Sequence, residues 1–266
     1  MRAAWVTDPH FDHLDDAAFA RFAEGVRALA PEALLLTGDL CDARSVEGTL
    51  RRVREAVAAP VLFVLGNHDY YGGSVDGVRA WAASAHGRDP DLRWLPAAGP
   101  WRASDGTVVV GVDGWCDGRA GDPDGSTVLL NDWRMIRDFA DVGAMFDVAA
   151  RKAVMQRLAD ADAAALTATL DAVCPTAARV VVLTHVPPFV GACWHQGAIS
   201  NAQWLPWFTC VAVGEALTRA ADRWPEVTLD VYCGHTHSAG EHRPRRNLAV
   251  FTGPGRYGDA FVTPLR

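Results

Sequence analysis

The chain has 266 residues, an apolar fraction of 50% and a formal net charge of −7, so it is long enough to bury one sizeable core. The acidic balance gives no overall basic field to attract extended nucleic acid or an acidic membrane surface. The six cysteines include no C-x-x-C pair and are expected to be buried thiols in a reducing compartment. No signal peptide and no membrane-length apolar run is recognised, which predicts a cytoplasmic protein without a membrane partner.

Short apolar runs alternate with helix-like segments in the first third of the chain. The runs are rich in β-branched or aromatic residues and bounded by Gly, Pro and Asp, which is typical of buried strands; they cover residues 3–6, 33–36 and 61–65. The intervening segments predict helices over about 15–30, 46–58 and 74–85. This alternation predicts right-handed crossovers and a largely parallel sheet.

The pattern changes from about residue 93. Asp105-Gly106 predicts a hairpin turn between strands over 101–103 and 107–112. A polar loop over 117–126 precedes a long helix over about 143–173, and strands resume at 179–183, 228–233 and 248–252. No interdomain linker is recognised. We therefore expect one domain over 1–266, with a cap or insertion around 113–150 and a substrate loop around 189–210.

Five of the predicted strands end in residues that commonly bind metals. The strand-end segments, in order, are Asp8-Pro9-His10, Gly38-Asp39, Gly66-Asn67-His68-Asp69, Thr184-His185 and Gly234-His235-Thr236-His237. Ligands of open α/β sheets bind beyond the carboxyl ends of the strands, so these side chains are expected to converge there although they are far apart in sequence.

The residue types favour hard or borderline divalent cations. Asp, Asn and His supply oxygen and nitrogen donors without any Cys, which favours Mn, Fe or Zn. Asp8 and His10 are two positions apart, as are His235 and His237, so in an extended segment each pair lies on one side. Two such ions carry about four positive charges and two carboxylates cancel about two, which leaves charge for a bridging hydroxide and an anionic phosphate.

Taken in order, these segments resemble the calcineurin-like metallophosphoesterase superfamily. Its pattern is D-x-H, G-D-x-x-D, G-N-H-[DE], a single H and G-H-x-H, and all five blocks are present between about residues 4 and 253. The resemblance implies an α/β fold with four layers, α/β/β/α, in which two mixed sheets are flanked by helices.

The resemblance also implies a role for each residue. Asp8, His10 and His237 resemble ligands of a first metal, Asn67, His185 and His235 resemble ligands of a second, and Asp39 resembles the bridging ligand. His68 resembles the histidine that contacts the phosphate and assists the leaving group. Asp69 would orient His68 through a hydrogen bond, whereas Asp42 is usually structural.

Several residues have a competing interpretation. Asp12 could replace Asp8 as a ligand if the first motif is shifted in register, although Asp8 directly follows the apolar strand. Asp39 and Asp69 are also suitable helix N-caps. The remaining histidines outside the motifs are interpreted as ordinary polar residues: His13, His86 and His242.

A substrate-binding role is considered for three residues in the irregular segments. His195 and Trp194 lie in the loop after His185, where they are candidates for contacts with the substrate. Arg134 lies in the proposed cap and is a candidate either for phosphate binding or for surface ion pairing. Clustered aromatic residues usually indicate packing, but in loops beside a site they can form an apolar wall or stack on a base or aryl group.

These features predict a dinuclear-metal phosphoesterase that acts on a small-molecule or nucleotide phosphate mono- or diester. Two competing hypotheses are a catalytically silent metal-binding scaffold of the same fold and a nuclease. Extended nucleic acid is disfavoured by the acidic charge balance. The fold alone does not determine the substrate, and the sequence makes no prediction of the oligomeric state.

Overall fold

The computed structural model describes all 266 residues. Thirteen strands are present: β1 Ala3–Val6, β2 Ala33–Thr37, β3 Val61–Val64, β4 Leu92–Trp94, β5 Trp101–Arg102, β6 Val108–Gly111, β7 Arg179–Leu183, β8 Trp194–His195, β9 Ala198–Ile199, β10 Thr228–Cys233, β11 Gly240–Arg245, β12 Leu248–Thr252 and β13 Thr263–Pro264. Nine α-helices are present: α1 Asp16–Leu29, α2 Val46–Ala56, α3 Val75–Arg88, α4 Leu95–Ala98, α5 Asp132–Met135, α6 Arg137–Ala140, α7 Val148–Val173, α8 Leu205–Phe208 and α9 Val211–Arg223.

Two mixed sheets form the centre of the molecule. The first has the order β13-β1-β2-β3-β4, and the second has the order β11-β12-β10-β7-β6-β5. The central strands of each sheet are parallel, whereas the edge strands β13, β11 and β5 pair antiparallel with their neighbours. Parallel pairing aligns the carboxyl ends of the central strands at the same edge of each sheet.

Alternate residues of each strand belong to different cores. Trp5 and Leu35 of the first sheet, with Val181 and Tyr232 of the second, belong to a core of 13 residues between the sheets. The neighbouring strand residues belong to a larger core that includes the apolar faces of α1, α2, α7 and α9. Because strand side chains alternate in direction, this division places the sheets face to face with helices outside. The four-layer α/β/β/α fold is confirmed.

Most of the predicted elements are present, with small changes in their bounds. The hairpin is confirmed: Ala103 N–H donates to Thr107 O at 2.9 Å, and Gly106 has φ +86°. The long helix begins at Val148 and not at residue 143, because Gly143 is left-handed and Asp147 caps the helix by accepting from Ala150 N–H. The sequence interpretation missed two longer elements, α9 and β11. It also missed the short strands β4, β8, β9 and β13 and the short helices α4, α5, α6 and α8.

All six cysteines are buried and unpaired. None of the helices combines the length and apolar character that crossing a bilayer requires.

Candidate metal centre and its cavity

The predicted metal-binding residues come together at the carboxyl ends of the central strands. Their side chains form two groups of donor atoms, in each of which all donors lie within 4.8 Å of one another. The first group contains Asp8, His10, Asp39 and His237, and the second contains Asp39, His185 and His235. Asp39 therefore belongs to both groups, and all of these residues except the partly exposed His237 are buried.

The donor atoms are spaced as ligands of a common ion would be. In the first group, His237 Nε2 lies 3.3 Å from Asp8 Oδ1 and 3.4 Å from His10 Nε2. In the second, His185 Nε2 lies 3.3 Å from Asp39 Oδ1 and 3.1 Å from the Asn67 side-chain oxygen. Ligands at 2.0–2.2 Å from one ion are separated by roughly 2.8–3.6 Å at octahedral to tetrahedral angles. The donor set therefore fits two divalent cations.

The two carboxylate oxygens of Asp39 face different groups. Oδ1 is the oxygen near His185, whereas Oδ2 lies 4.0 Å from His10 Nε2 and 3.9 Å from His68 Nε2. Asp39 Oδ1 also accepts a hydrogen bond from the backbone N–H of His68 at 2.9 Å. This arrangement suits a carboxylate that bridges two cations.

The backbone is strained at the predicted ligands. Seven residues other than glycine have positive φ, and five of them are Asp8, His10, Asp39, His235 and His237. Such conformations are uncommon and cluster at functional sites, where the surrounding structure holds them in place. These positions are therefore turns and not the extended segments that the sequence predicted. Asp8 and His10 join the same donor group, whereas His235 and His237 join different ones.

Two glycines make the close approach of the loops possible. A Cβ on Gly66 would overlap the Asp39 carboxylate, and a Cβ on Gly234 would overlap the side chains of Thr7 and Asp8. Only glycine therefore leaves space for the strand ends to pack around the two carboxylates.

At three of the predicted ligands, the electrostatics favour the protonation states that bind metals. Burial lowers the pKa of His10 to about 4, and burial together with His185 lowers the pKa of His235 to about 4. Burial alone would raise the pKa of Asp39, but the surrounding imidazoles, His185 first, hold that pKa well below its usual range. Neutral imidazoles and ionised carboxylates are the forms that coordinate cations.

The Asp69 carboxylate does not hydrogen-bond to His68 as the resemblance implied. Its carboxylate accepts hydrogen bonds from the backbone N–H groups of Leu40 at 2.9 Å, Cys41 at 3.0 Å and Gly66 at 2.8 Å. The side chain is fully buried beneath these two loops, and its carboxylate is the hydrogen-bond acceptor of these three amides. Asp69 thus joins the loop that carries Asp39 to the loop that carries Asn67 and His68.

Asp132 holds the side chain of Asn67 and was not identified from the sequence. Its buried Oδ1 accepts from Asn67 Nδ2 at 2.9 Å and from the Tyr71 hydroxyl at 2.5 Å. Because the amide nitrogen of Asn67 is engaged in this way, its oxygen is directed toward His185. Asp132 lies within the predicted cap at 113–150, but no motif distinguishes it from the other acidic residues of that segment.

A buried arginine packs near the tryptophan that orients His235 in the second group. The Arg151 guanidinium lies 3.3 Å from the ring centroid of Trp133 and 5.0 Å from that of Trp207. It also donates to the backbone oxygens of Ala144 and Met145. The Trp207 carbonyl accepts from His235 Nε2 at 3.1 Å and so fixes the orientation of that imidazole.

A cavity of about 540 Å³ opens above the two groups. Its floor includes Asp39, Asn67, His68 and His235, and its walls come from residues 129–132, residues 195–208 and Tyr257. Both segments predicted to border the site, 113–150 and 189–210, therefore contribute residues to the cavity.

The three candidates for substrate contact have different positions. His195 lines the cavity. Trp194 does not, because its indole packs against Gly240, where any Cβ would overlap the ring. Arg134 is also outside the lining; it is exposed and donates to the Asn131 side chain at 2.9 Å. A surface role therefore describes Arg134 better than phosphate binding does.

Position also decides between the competing interpretations of Asp12 and of the histidines outside the motifs. Asp12 lies outside both donor groups and within 4.0 Å of His13, so the register with Asp8 is the one that joins a donor group. His13 is exposed and packs against Tyr257, His86 lies near Arg93, and His242 packs against Phe189. None of these three histidines belongs to a donor group.

Two face-to-face mixed sheets with paired donor groups at their strand ends define a metal-dependent phosphoric ester hydrolase. The chain belongs to the calcineurin-like phosphoesterase family, whose family model matches residues 1–239. Members of this family typically bind two divalent metal ions.

Solved structures with low sequence identity share the fold. A phosphopantetheinyl hydrolase from Mycobacterium tuberculosis has a TM-score of 0.67 and 15% identity, with 96% of this chain and 89% of that chain covered. A dimetal phosphatase from Danio rerio has a TM-score of 0.57 and 16% identity, with 96% and 87% covered. A protein from Thermus thermophilus has a TM-score of 0.59 and 15% identity, with 100% and 99% covered. The sequence has no significant match among curated proteins.

Proposed function

We propose that this enzyme hydrolyses a phosphate mono- or diester of a small molecule or nucleotide at a centre of two divalent ions, Mn, Fe or Zn. The observation that carries the proposal is the pair of donor groups sharing Asp39 at the floor of the cavity. The seven proposed ligands are Asp8, His10, Asp39, Asn67, His185, His235 and His237.

When bound, two divalent ions would stabilise charge on the phosphoryl oxygens and lower the pKa of an attacking water. Asp39 stays ionised between the two groups, and the neutral imidazoles of His10 and His235 keep their lone pairs free for coordination. The cavity above the floor gives the ester access to both donor groups.

We assign to His68 the contact with the phosphate and the proton donated to the leaving oxygen. Its ring faces the cavity, and it is held between the Tyr71 ring at 4.3 Å and the His10 ring at 4.7 Å, centroid to centroid. A side chain that is packed on both sides but open to the cavity is suited to proton transfer, because little reorganisation is needed. Asp69 acts on His68 through the backbone, as a positioning residue for both loops.

The metal requirement is tested with Asp39→Asn. This variant should lose at least about 10³-fold in turnover of an aryl phosphate and bind less metal, with its circular dichroism spectrum unchanged. Full activity of the parent protein after exhaustive chelation would contradict the proposal. Less than one equivalent of bound metal, with no hydrolysis of a broad ester panel, would favour the silent scaffold.

The role of His68 is tested with His68→Ala. We expect kcat to fall by about 10²–10⁴-fold while the metal content stays at two equivalents. His86→Ala is the matched control, because His86 lies outside the cavity and should leave both quantities unchanged. A His68→Ala enzyme with normal kcat, or one that loses metal in proportion to activity, would refute the assignment.

A nuclease is less well supported by the cavity. No Lys or Arg is among the residues that line it, whereas proteins that bind a nucleic acid strand place basic side chains along the phosphate backbone.

A further inference from the structure

Apolar side chains that are open to solvent are concentrated in the wall of the cavity. The molecule has eight large apolar residues classed as exposed. Four of them line this one cavity: Leu129, Ile199, Trp204 and Tyr257. A concave patch of exposed apolar surface is the usual form of a ligand site, because a ligand that covers this surface removes it from water.

This apolar wall is continuous with the predicted metal ligands. Phe208 packs against the His235 ring with centroids 4.4 Å apart, and Trp204 packs edge-on against Phe208 at 5.4 Å. On the opposite side, the Tyr257 ring lies 4.4 Å from the His10 ring, centroid to centroid. A molecule with its phosphate at the donor groups would therefore place its other end between aromatic and aliphatic surfaces.

The charge of the cavity points in the same direction. None of its 18 lining residues is Lys or Arg, and its acidic members are Asp39 and Asp132. The adjoining depression beyond Tyr257 contains Arg44, but beside Asp12 and Asp42, so its formal charge is negative. A second phosphate or carboxylate on the substrate would find no cation in the wall to compensate its desolvation.

We propose that the part of the substrate beyond the reacting phosphate is an uncharged aryl or alkyl group held by this apolar wall. The proposal rests on the phosphoesterase function proposed above. It excludes polyphosphates and esters with an anionic distal group as good substrates. Ser200 and Asn201 also line the cavity and provide neutral hydrogen-bonding groups for a polar but uncharged substituent.

The test measures binding of phosphonates, which resist hydrolysis, by calorimetry to the protein loaded with Mn. The three probes are methylphosphonate, phenylphosphonate and 4-carboxyphenylphosphonate. Each buried carbon is worth about a fourfold gain in affinity at full burial, so phenylphosphonate should bind at least about tenfold more tightly than methylphosphonate. At pH 8, where free imidazole is neutral, the carboxyphenyl compound should lose most of this advantage.

Two variants and one control locate the effect. Trp204→Ala should reduce the preference for phenyl over methyl at least about threefold, whereas Phe146→Ala, which removes an exposed ring outside the cavity, should not. Leu129 is 70% exposed, so Leu129→Arg should fold normally and should raise the affinity for the carboxyphenyl compound relative to phenylphosphonate. That gain of binding is a readout that misfolding cannot produce.

The outcomes separate this proposal from the proposed function. Equal affinities for phenylphosphonate and its carboxylated analogue, or an unchanged preference in Trp204→Ala, would overturn the apolar-group proposal. If the parent protein binds phenylphosphonate but shows no measurable binding of methylphosphonate, the result would count against the metal centre and would support the apolar wall.

Discussion

Replacing Asp132 by Asn tests whether the residue that holds Asn67 controls the second metal site. Asp132 accepts hydrogen bonds from Asn67 Nδ2 and from the Tyr71 hydroxyl. The new amide oxygen can accept the same two bonds, so the substitution removes the negative charge with little change in shape. Burial raises the pKa of Asp132, and its hydrogen bonds with Tyr71 and Asn67 only partly oppose that effect.

The substitution is expected to weaken metal binding without destabilising the metal-free protein. A hydrogen bond to a charged acceptor contributes about 1 kcal/mol more than one to a neutral acceptor. Loss of that contribution from the bond to Asn67 should weaken binding of one of the two ions about fivefold, near the lower end of the range known for outer-shell partners of ligands. In the metal-free protein, removal of a buried charge should leave the free energy of unfolding unchanged or higher.

The assay combines titration of the metal-free protein with Mn, against a fluorescent chelator, and urea unfolding in excess chelator. Asp138→Asn is the matched control: Asp138 lies in the same segment and accepts from the Val75 N–H at 2.8 Å, but it is outside the cavity lining. The control should lose about 1 kcal/mol of stability without any change in metal affinity. The reasoning is refuted if Asp132→Asn changes the affinity less than twofold, or if both variants weaken it equally.

Three further predictions concern stability. Arg151→Met should lower the free energy of unfolding by about 2–4 kcal/mol in urea, because a buried and a partly buried carbonyl lose their donor and a cation stacked on aromatic rings is lost. Exposed Arg157→Met should change the free energy of unfolding by under about 0.5 kcal/mol, and equal losses would contradict this account. Burial lowers the pKa of His10 and of His235 to about 4, so their contribution to the free energy of unfolding is complete above about pH 6.5 and is lost toward pH 4. Unfolding curves of the metal-free protein should show this loss of stability, and the loss should be smaller in His235→Gln. A stability that does not change with pH over this range would refute the prediction. Addition of Mn at about 100 times its Kd should raise the free energy of unfolding by about 2.7 kcal/mol for each ion bound. Scanning calorimetry should detect this gain, and Asp39→Asn should show little of it.

The positions of the donor groups were predictable from the sequence because strands supply strong local signals. Apolar runs such as 33–36 and 61–65 predicted strands, and strand polarity fixes which end carries the polar residues that follow. Asp39 and Asn67 therefore had to emerge at the same edge of the first sheet once parallel pairing was inferred. Side chains from the second sheet, such as His185 and His235, join them because the two sheets pack face to face.

The supporting contacts were not predictable in the same way. Asp132 accepts from Asn67 and Arg151 packs near Trp207, and both of these partners are distant in sequence. Neither Asp132 nor Arg151 lies within a recognisable motif. The choice between cavity and packing for Trp194 and Trp204 depends on loop conformation: the indole of Trp194 covers Gly240, whereas Trp204 lines the cavity. Such choices follow from tertiary packing, which overrides what residue type and spacing indicate locally.

The strained backbone at the ligands indicates that the centre is preorganised. Five predicted ligands have positive φ, and at about 1–3 kcal/mol each their strain adds up to at least about 5 kcal/mol. That sum is comparable with the whole net stability of many domains, so other contacts must offset it. Those contacts are internal to the protein: Asp8 accepts from His235 N–H, Asp39 accepts from His68 N–H, and Asp69 accepts from three loop amides. Because none of these bonds needs an ion, removal of metal should lower the stability of the chain while its fold persists, unlike small domains that fold only around their metal.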